Sequence, residues 1–271
     1  MTKAIVFSGC GALGSWQAGA ASVLASRDGY PDHYYGVSSG SLNAFLFSYF
    51  GALKASEFWY EIDSFSQVFT PNYFRLLFAD GVFHLNKKLK KQFLHDLKSR
   101  EFPSTSMSVW TMGVKDGEAK CHTLLRGQVH NNRGDIACAS ISIPGVVESH
   151  AGEVDAGYRL LAPLAQAIRD GHDEIILISG RPVNAPTVRP RLIIPAAAAA
   201  YQAVDVALSE ILRRDINECL YRNTILGFRN INLKIIQPEV VQGGPLDFDE
   251  CKDFLKSGRY QVTSMIQRGL I

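Results

Sequence analysis

The 271-residue sequence lacks long hydrophobic runs, a strong excess of either charge and the cysteine spacing of a metal site. Its longest apolar stretch, from Ile193 to Leu208, is interrupted by Pro195, Gln202 and Asp205, so we expect no membrane-spanning helix. A net charge of +2 does not indicate the strongly basic surface that is typical of nucleic-acid-binding proteins. The five cysteines are scattered and odd in number, which favours a reduced, cytoplasmic environment. We therefore expect a soluble protein without metal or other cofactor.

The N-terminus runs directly into a strand pattern at Ala4–Phe7, which leaves no room for a secretory signal. We expect a cytoplasmic protein, with export by a route that needs no such signal as an alternative. Beyond this point, strand and helix patterns alternate without repeats or low-complexity linkers, and 46% of the residues are hydrophobic. This alternation predicts an α/β fold built around a layered sheet. We expect residues 1–271 to form one domain.

Ser38 lies in the sequence Gly36-Val37-Ser38-Ser39-Gly40, between a short apolar strand and an apolar helix. A G-x-S-x-G motif in a strand-to-helix turn is typical of a nucleophile elbow, in which the turn lifts the serine hydroxyl out of the sheet. The amides and the dipole of the following helix favour negative charge at its start. A simple Gly/Ser turn is the alternative interpretation, and further features are needed to choose between them.

A glycine loop, Gly9-Cys10-Gly11-Ala12-Leu13-Gly14, follows the first strand and fits G-x-G-x-x-G, the dinucleotide-binding fingerprint. That fingerprint requires an acidic residue at the end of the second strand. The second strand instead ends at Ser38, which weakens the nucleotide-binding interpretation. In the other interpretation, the loop amides stabilise the oxyanion formed when a serine attacks an ester.

A serine nucleophile needs a base, and the histidines of this chain are poorly placed to provide one. An α/β-hydrolase has its histidine after the nucleophile and the acid, but the last histidine is His172, at a predicted helix end beside Gly171. Asp155, at the end of a short strand and followed by Ala156 and Gly157, is the alternative base. Burial would raise the pKa of this carboxyl group and match it better to the serine hydroxyl.

Taken together, these motifs resemble the patatin-like phospholipases over nearly the whole chain. The glycine loop is similar to the oxyanion motif of that family, the segment 36–44 to its nucleophile elbow, and Asp155-Ala156-Gly157 with Pro163 to its aspartate motif. The resemblance implies a patatin-like layered fold, with a central, mostly parallel sheet and helices on both faces. It further implies a Ser38–Asp155 dyad, without histidine, that hydrolyses acyl esters of lipids. The oxyanion residues it implies are Gly9, Cys10, Gly11 and Ala12.

The chain departs from the family pattern at Cys10 and Ala156, where glycine is usual, and at Leu13, where a basic residue is common. Alanine restricts φ, so Ala156 could slow the chemistry. A catalytically weakened binding or regulatory protein on the same fold is therefore an alternative to the enzyme, and the nucleotide-binding module is a third and weaker one.

Two segments are candidates for contact with lipid or phospholipid. Aromatic and aliphatic residues crowd positions 65–83 and predict either an acyl-chain groove or a cover over the core. The segment 86–93 carries four lysines and an apolar stripe, which is typical of a solvated helix and also of a helix that binds an anionic membrane surface.

Overall fold

A computed structural model describes residues 2–72, 81–184, 195–224 and 231–271. Its strands are β1 (Lys3–Phe7), β2 (His33–Val37), β3 (Phe69–Pro71), β4 (Gly81–Leu85), β5 (Ser106–Gly113), β6 (Ala119–Leu124), β7 (Gly145–Val147), β8 (Glu153–Asp155), β9 (Glu174–Ile178) and β10 (Asn232–Ile236). Its helices are α1 (Gly14–Asp28), α2 (Ser39–Tyr60), α3 (Phe65–Val68), α4 (Lys87–Ser99), α5 (Arg133–Ala139), α6 (Leu164–Arg169), α7 (Pro195–Thr224) and α8 (Cys251–Gln267).

The central sheet has the strand order β10-β9-β1-β2-β5-β6, with β8 paired to β5. The pairs from β10 through β5 are parallel, and β6 and β8 run antiparallel to β5. Helices cover both faces, so the expected α/β fold with a mostly parallel central sheet is confirmed. The parallel strands place Ser38 at the carboxyl edge of this sheet, where open α/β sheets bind ligands.

Alternating residues of the central strands supply two separate cores. Ile5 and Phe7 of β1 belong to a cluster with α1, α2 and α8 on one face of the sheet. Ala4 and Val6 belong to a second cluster on the opposite face, which includes Leu212 and Ile216 of α7. Because neighbouring side chains of a strand point to opposite faces, a fully apolar strand such as β1 is suited to burial on both sides.

The C-terminal part of the chain is integrated into this architecture. Helix α8 packs against α1 at two glycines: a Cβ at Gly19 would clash with the Leu255 carbonyl, and one at Gly258 with the Trp16 carbonyl. Strand β10 extends the same sheet. Neither α8 nor a second sheet of three strands, in the order β3-β4-β7, was anticipated from the sequence.

Candidate active site

The turn between β2 and α2 holds Ser38 in an unusual backbone conformation, with φ 57° and ψ −131°. A positive φ is sterically costly for a residue with a side chain and commonly marks a functional turn. The turn is tight, because a Cβ at Gly36 would meet the carbonyl of Gly40, and one at Gly40 would meet that of Phe7. The G-x-S-x-G motif thus forms a strained strand-to-helix turn with a half-buried serine at its apex.

Strand register explains how Asp155 comes beside this turn. On β5, Trp110 pairs with Val37, the last residue of β2, and the next residue, Thr111, pairs with Asp155. Strand β6 occupies the other edge of β5, so β2 and β8 share one edge. Asp155 therefore occupies the position that β2 would fill if the strand continued past Val37, which brings it next to Ser38.

Asp155 is almost completely buried, with 3% of its surface exposed. Burial raises the pKa of its carboxyl group to about 7. Hydrogen bonds from the Ser38 hydroxyl and the Gly157 amide act in the opposite direction, but burial has the larger effect. The Gly157 amide donates to Oδ1 at 2.8 Å. A carboxyl group with a pKa near 7 can exchange protons at neutral pH, as a general base must.

The glycine loop passes directly beside the nucleophile turn. A Cβ built on Gly9 would lie 3.2 Å from the Ser38 Cβ and 2.6 Å from Cδ2 of Leu161. The Gly9 amide donates to the Leu161 carbonyl at 3.0 Å, and the Ala12 amide to the Pro245 carbonyl at 2.8 Å. A side chain at position 9 would have to displace the Leu161 methyl, so glycine is suited to this close approach.

Two further residues of this loop differ in how their amides are used. The Cys10 amide donates to the Ser39 hydroxyl at 3.1 Å, and no acceptor for the Gly11 amide is found among the described residues. Gly11 has a φ of 61° and packs against the Pro245 carbonyl, so it accommodates no side chain. A hydroxyl acceptor can rotate away, so Cys10 and Gly11 carry the two loop amides most readily available to a substrate oxygen.

Two of the departures from the family pattern fit the structure without backbone strain. Cys10 has a φ of −159°, outside the left-handed region that favours glycine, and Ala156 is not among the residues with positive φ. The suggestion that alanine strains the turn after Asp155 is therefore wrong, since that turn needs no glycine at position 156. Burial raises the pKa of the Cys10 thiol to about 12, so it stays protonated and acts as a small packing residue.

His172 lies away from Ser38, just before β9 and at the amino-terminal ends of the parallel strands. Its Nε2 is 3.0 Å from the Tyr35 hydroxyl, which in turn donates to Asp170 at 2.7 Å. In the described ranges, no three His, Cys, Asp or Glu side chains are arranged to hold a metal ion. No helix there has the length and hydropathy of a membrane span.

An apolar cavity of about 50 Å³ lies beside the site, between α2, α4 and α5. Leu42 lines it one helical turn after Ser38, and Cys138 and Ile141 line its wall next to Ser142, whose carbonyl accepts the Asp155 amide. A larger cavity of about 260 Å³ lies next to it, between α2 and α4. The two share four lining residues, Phe58, Ile62, Leu89 and Phe93.

The described aromatic residues of segment 65–83 pack together in a cluster. Phe65 contacts Phe69 and Phe83, with ring centroids 5.0 and 5.3 Å apart, and both Phe65 and Phe69 contact Phe248. This part of the segment covers the core. Tyr73, Phe74, Leu76, Leu77 and Phe78, on which the groove hypothesis also rested, lie outside the described residues.

Sequence reasoning did not identify three residues at or behind the site: Leu161 and Pro245, which contact the glycine loop, and Asp215, which binds Leu161. Leu161 separates the glycine loop from Gly157, and the Pro245 carbonyl binds the loop from the C-terminal part of the chain. Both oxygen atoms of Asp215 are used, Oδ2 by the amides of Leu161 and Ala162 and Oδ1 by Arg214. No local sequence pattern marks these positions, because each acts across a long separation in sequence.

Among known protein families, the chain matches the model described as Patatin-like phospholipase over residues 5–168. A search among curated proteins returned no match. The matched range is more than half of the chain and runs from β1 to α6, so it contains Ser38, Asp155 and the whole glycine loop. The chain therefore belongs to the patatin-like phospholipase family, whose members are lipid acyl hydrolases.

Proposed function

We propose that this protein is a phospholipase A or lysophospholipase type of lipid acyl hydrolase with a Ser38–Asp155 dyad. The observation that carries the proposal is the buried carboxyl group of Asp155, with its pKa raised to about 7, beside a serine held at positive φ. Burial in this position supplies a base of suitable strength without histidine.

In the proposed mechanism, the Asp155 carboxylate takes the proton from the Ser38 hydroxyl as the oxygen attacks the ester carbonyl. Collapse of the tetrahedral intermediate releases the alcohol, which receives the proton from Asp155. Asp155 then takes a proton from water, the hydroxide attacks the acyl-serine, and the proton returns to Ser38 as the fatty acid leaves. The carboxylate thus acts as base and as acid in each half of the cycle.

The oxyanion would be stabilised by the amides of the glycine loop and by the start of α2. Among Gly9, Cys10, Gly11 and Ala12, we assign the donor role to Cys10 and Gly11. The amides of Gly9 and Ala12 are bound to backbone carbonyls and are better suited to holding the loop in shape. Substrate binding would displace the Ser39 hydroxyl from the Cys10 amide.

The cavity beside Leu42 is our candidate for the acyl-chain site, since Leu42 lies one helical turn after the nucleophile and Ile141 adjoins Ser142, which binds the Asp155 amide. In this proposal, a lipid enters from a membrane or micelle surface that the protein touches peripherally. Lys88 of α4 lines the larger cavity, and this lysine-rich helix suits contact with an anionic surface.

The experiment that tests the proposal compares wild type, Ser38→Ala and Asp155→Asn on a panel of phospholipids and a short soluble ester. Both variants should lose at least about 1,000-fold in kcat/KM, because one lacks the nucleophile and the other the proton acceptor. Thermal melts verify that each variant is folded. Hydrolysis by Ser38→Ala near the wild-type rate would overturn the serine mechanism, and inactive wild type that still binds lipid would favour a binding protein.

A further inference from the structure

The segment that follows Asp155 is held by a helix outside the range matched to the family. Asp215 of α7 is 8% exposed, and its Oδ2 accepts hydrogen bonds from the amides of Leu161 at 2.7 Å and Ala162 at 3.0 Å. The neighbouring Arg214 donates to the Arg159 carbonyl at 2.6 Å and to Oδ1 of Asp215 at 3.1 Å. Two consecutive side chains of α7 thus bind three backbone groups of residues 159–162.

Leu161, which Asp215 binds, lies between the glycine loop and the turn that follows Asp155. Its carbonyl accepts the Gly9 amide at 3.0 Å, and its Cδ2 fills the space beside Gly9 that a Cβ would occupy. The same methyl lies 3.6 Å from the position of a Cβ on Gly157, whose amide binds Asp155. A shift of Leu161 would therefore move the glycine loop and loosen the turn that holds the carboxylate.

We infer that Asp215 is a positioning residue, which fixes the glycine loop relative to Asp155 by anchoring Leu161 and Ala162. This inference rests on the proposed function, because the geometry it fixes is that of the oxyanion donors and the base. A side-chain oxygen at this position is suited to the task, since its two lone pairs can accept both amides. Losing it leaves two buried amides without a partner, and the segment must rearrange to satisfy them.

The test compares Asp215→Ala and Asp215→Asn with a matched control, Asp205→Ala. Asp205 is on the same helix, is also buried at 5% exposure, and forms an ion pair with Arg181 instead of binding residues 159–162. Asparagine keeps one oxygen that can accept both amides while removing the charge. The readouts are kcat and KM for a short soluble ester, and hydrogen–deuterium exchange of the peptides that contain residues 7–14 and 155–163.

We expect Asp215→Ala to lower kcat about tenfold to 100-fold with little change in KM, because small displacements of catalytic groups have effects of this size. Exchange should increase in both peptides. Asp215→Asn should stay within about threefold of wild type, and Asp205→Ala should lose thermal stability without faster exchange in these peptides. Asp215→Ser, too short to reach both amides, replaces Asp215→Ala if that variant does not fold.

Equal losses of kcat in Asp215→Ala and Asp205→Ala, or unchanged exchange of residues 7–14, would overturn the inference. A loss in Asp215→Asn as large as in Asp215→Ala would also do so, because charge and not hydrogen bonding would then be responsible. If wild type hydrolyses no ester, the proposed function fails, but the exchange experiment still tests whether Asp215 holds the two segments.

Discussion

Replacing Asp155 with asparagine should make the protein more stable at alkaline pH while removing its activity. The reason is that burial raises the pKa of this carboxyl group to about 7 from an ordinary value of 3.8. The folded state therefore resists ionisation of Asp155 more than the unfolded state does. The stability that protonated Asp155 contributes is fully present below pH 3.8 and is lost as pH rises through about 7. Asparagine is neutral at every pH and escapes this loss.

The magnitude follows from the difference between the two pKa values, which is about 3 units. At about 1.4 kcal/mol per unit, the carboxylate costs roughly 4 kcal/mol of folding free energy well above pH 7 and nothing well below pH 3.8. Between pH 5 and pH 8, the advantage of Asp155→Asn over wild type should grow by about 2.5 kcal/mol. For a chain of this size, that corresponds to roughly 5–10 °C in melting temperature.

The assay is thermal or urea unfolding of wild type and Asp155→Asn at intervals from pH 5 to pH 8. Glu153→Gln is the matched control on the same strand, because its difference from wild type should hardly change over this pH range. Although burial of Glu153 acts to raise its pKa, hydrogen bonds from Thr111 and Lys120 and the charges of His122 and Lys120 lower it overall. Glu153 therefore contributes its stability above its unfolded pKa of 4.5 and loses it only in stronger acid, so the difference between Glu153→Gln and wild type should stay nearly constant from pH 5 to pH 8.

A difference between Asp155→Asn and wild type that stays constant from pH 5 to pH 8 would refute this reasoning. It would mean that Asp155 ionises with an ordinary pKa in the folded protein. The burial argument for a carboxylate base would then have no support.

Three further predictions concern activity. The value of kcat/KM should rise about tenfold per pH unit and level off above about pH 7, since only the ionised form of Asp155 accepts the proton; a plateau beginning near pH 4 would contradict this. His172→Ala, assayed below its melting temperature, should keep kcat within about threefold of wild type because its ring binds Tyr35 and lies away from Ser38; a large loss would indicate a histidine base. EDTA should leave the rate unchanged, as no metal takes part in the proposed mechanism, and loss of activity restored by calcium would count against it.

Much of the fold could be predicted because the signals are local. The apolar strand Ala4–Phe7 and the helix after the elbow depend on neighbouring residues, and the structure contains both. The strand-to-helix turn at Ser38 could likewise be predicted, because glycines at positions 36 and 40 and a serine between them are suited to a tight, strained turn.

The remaining geometry depends on contacts between distant parts of the chain. That Asp155 continues the line of β2 follows from strand pairing with β5, which no local pattern specifies. The binding of the glycine loop by Leu161 and Pro245 is equally long-range, and Asp215 lies within an ordinary helical pattern of α7. Helix α8 has its buried residues at helical spacing, but its packing against α1 again joins distant parts of the chain.

Reaction of the protein with a fluorophosphonate, followed by mass spectrometric mapping of the modified peptide, tests the central claim most directly. An activated serine reacts with this probe, whereas an ordinary surface serine does not. Our account predicts a single adduct on Ser38, absent from Ser38→Ala and strongly reduced in Asp155→Asn. An adduct on another serine, or no adduct on a wild-type protein that hydrolyses lipid esters, would contradict the proposal that Ser38 and Asp155 form the catalytic dyad.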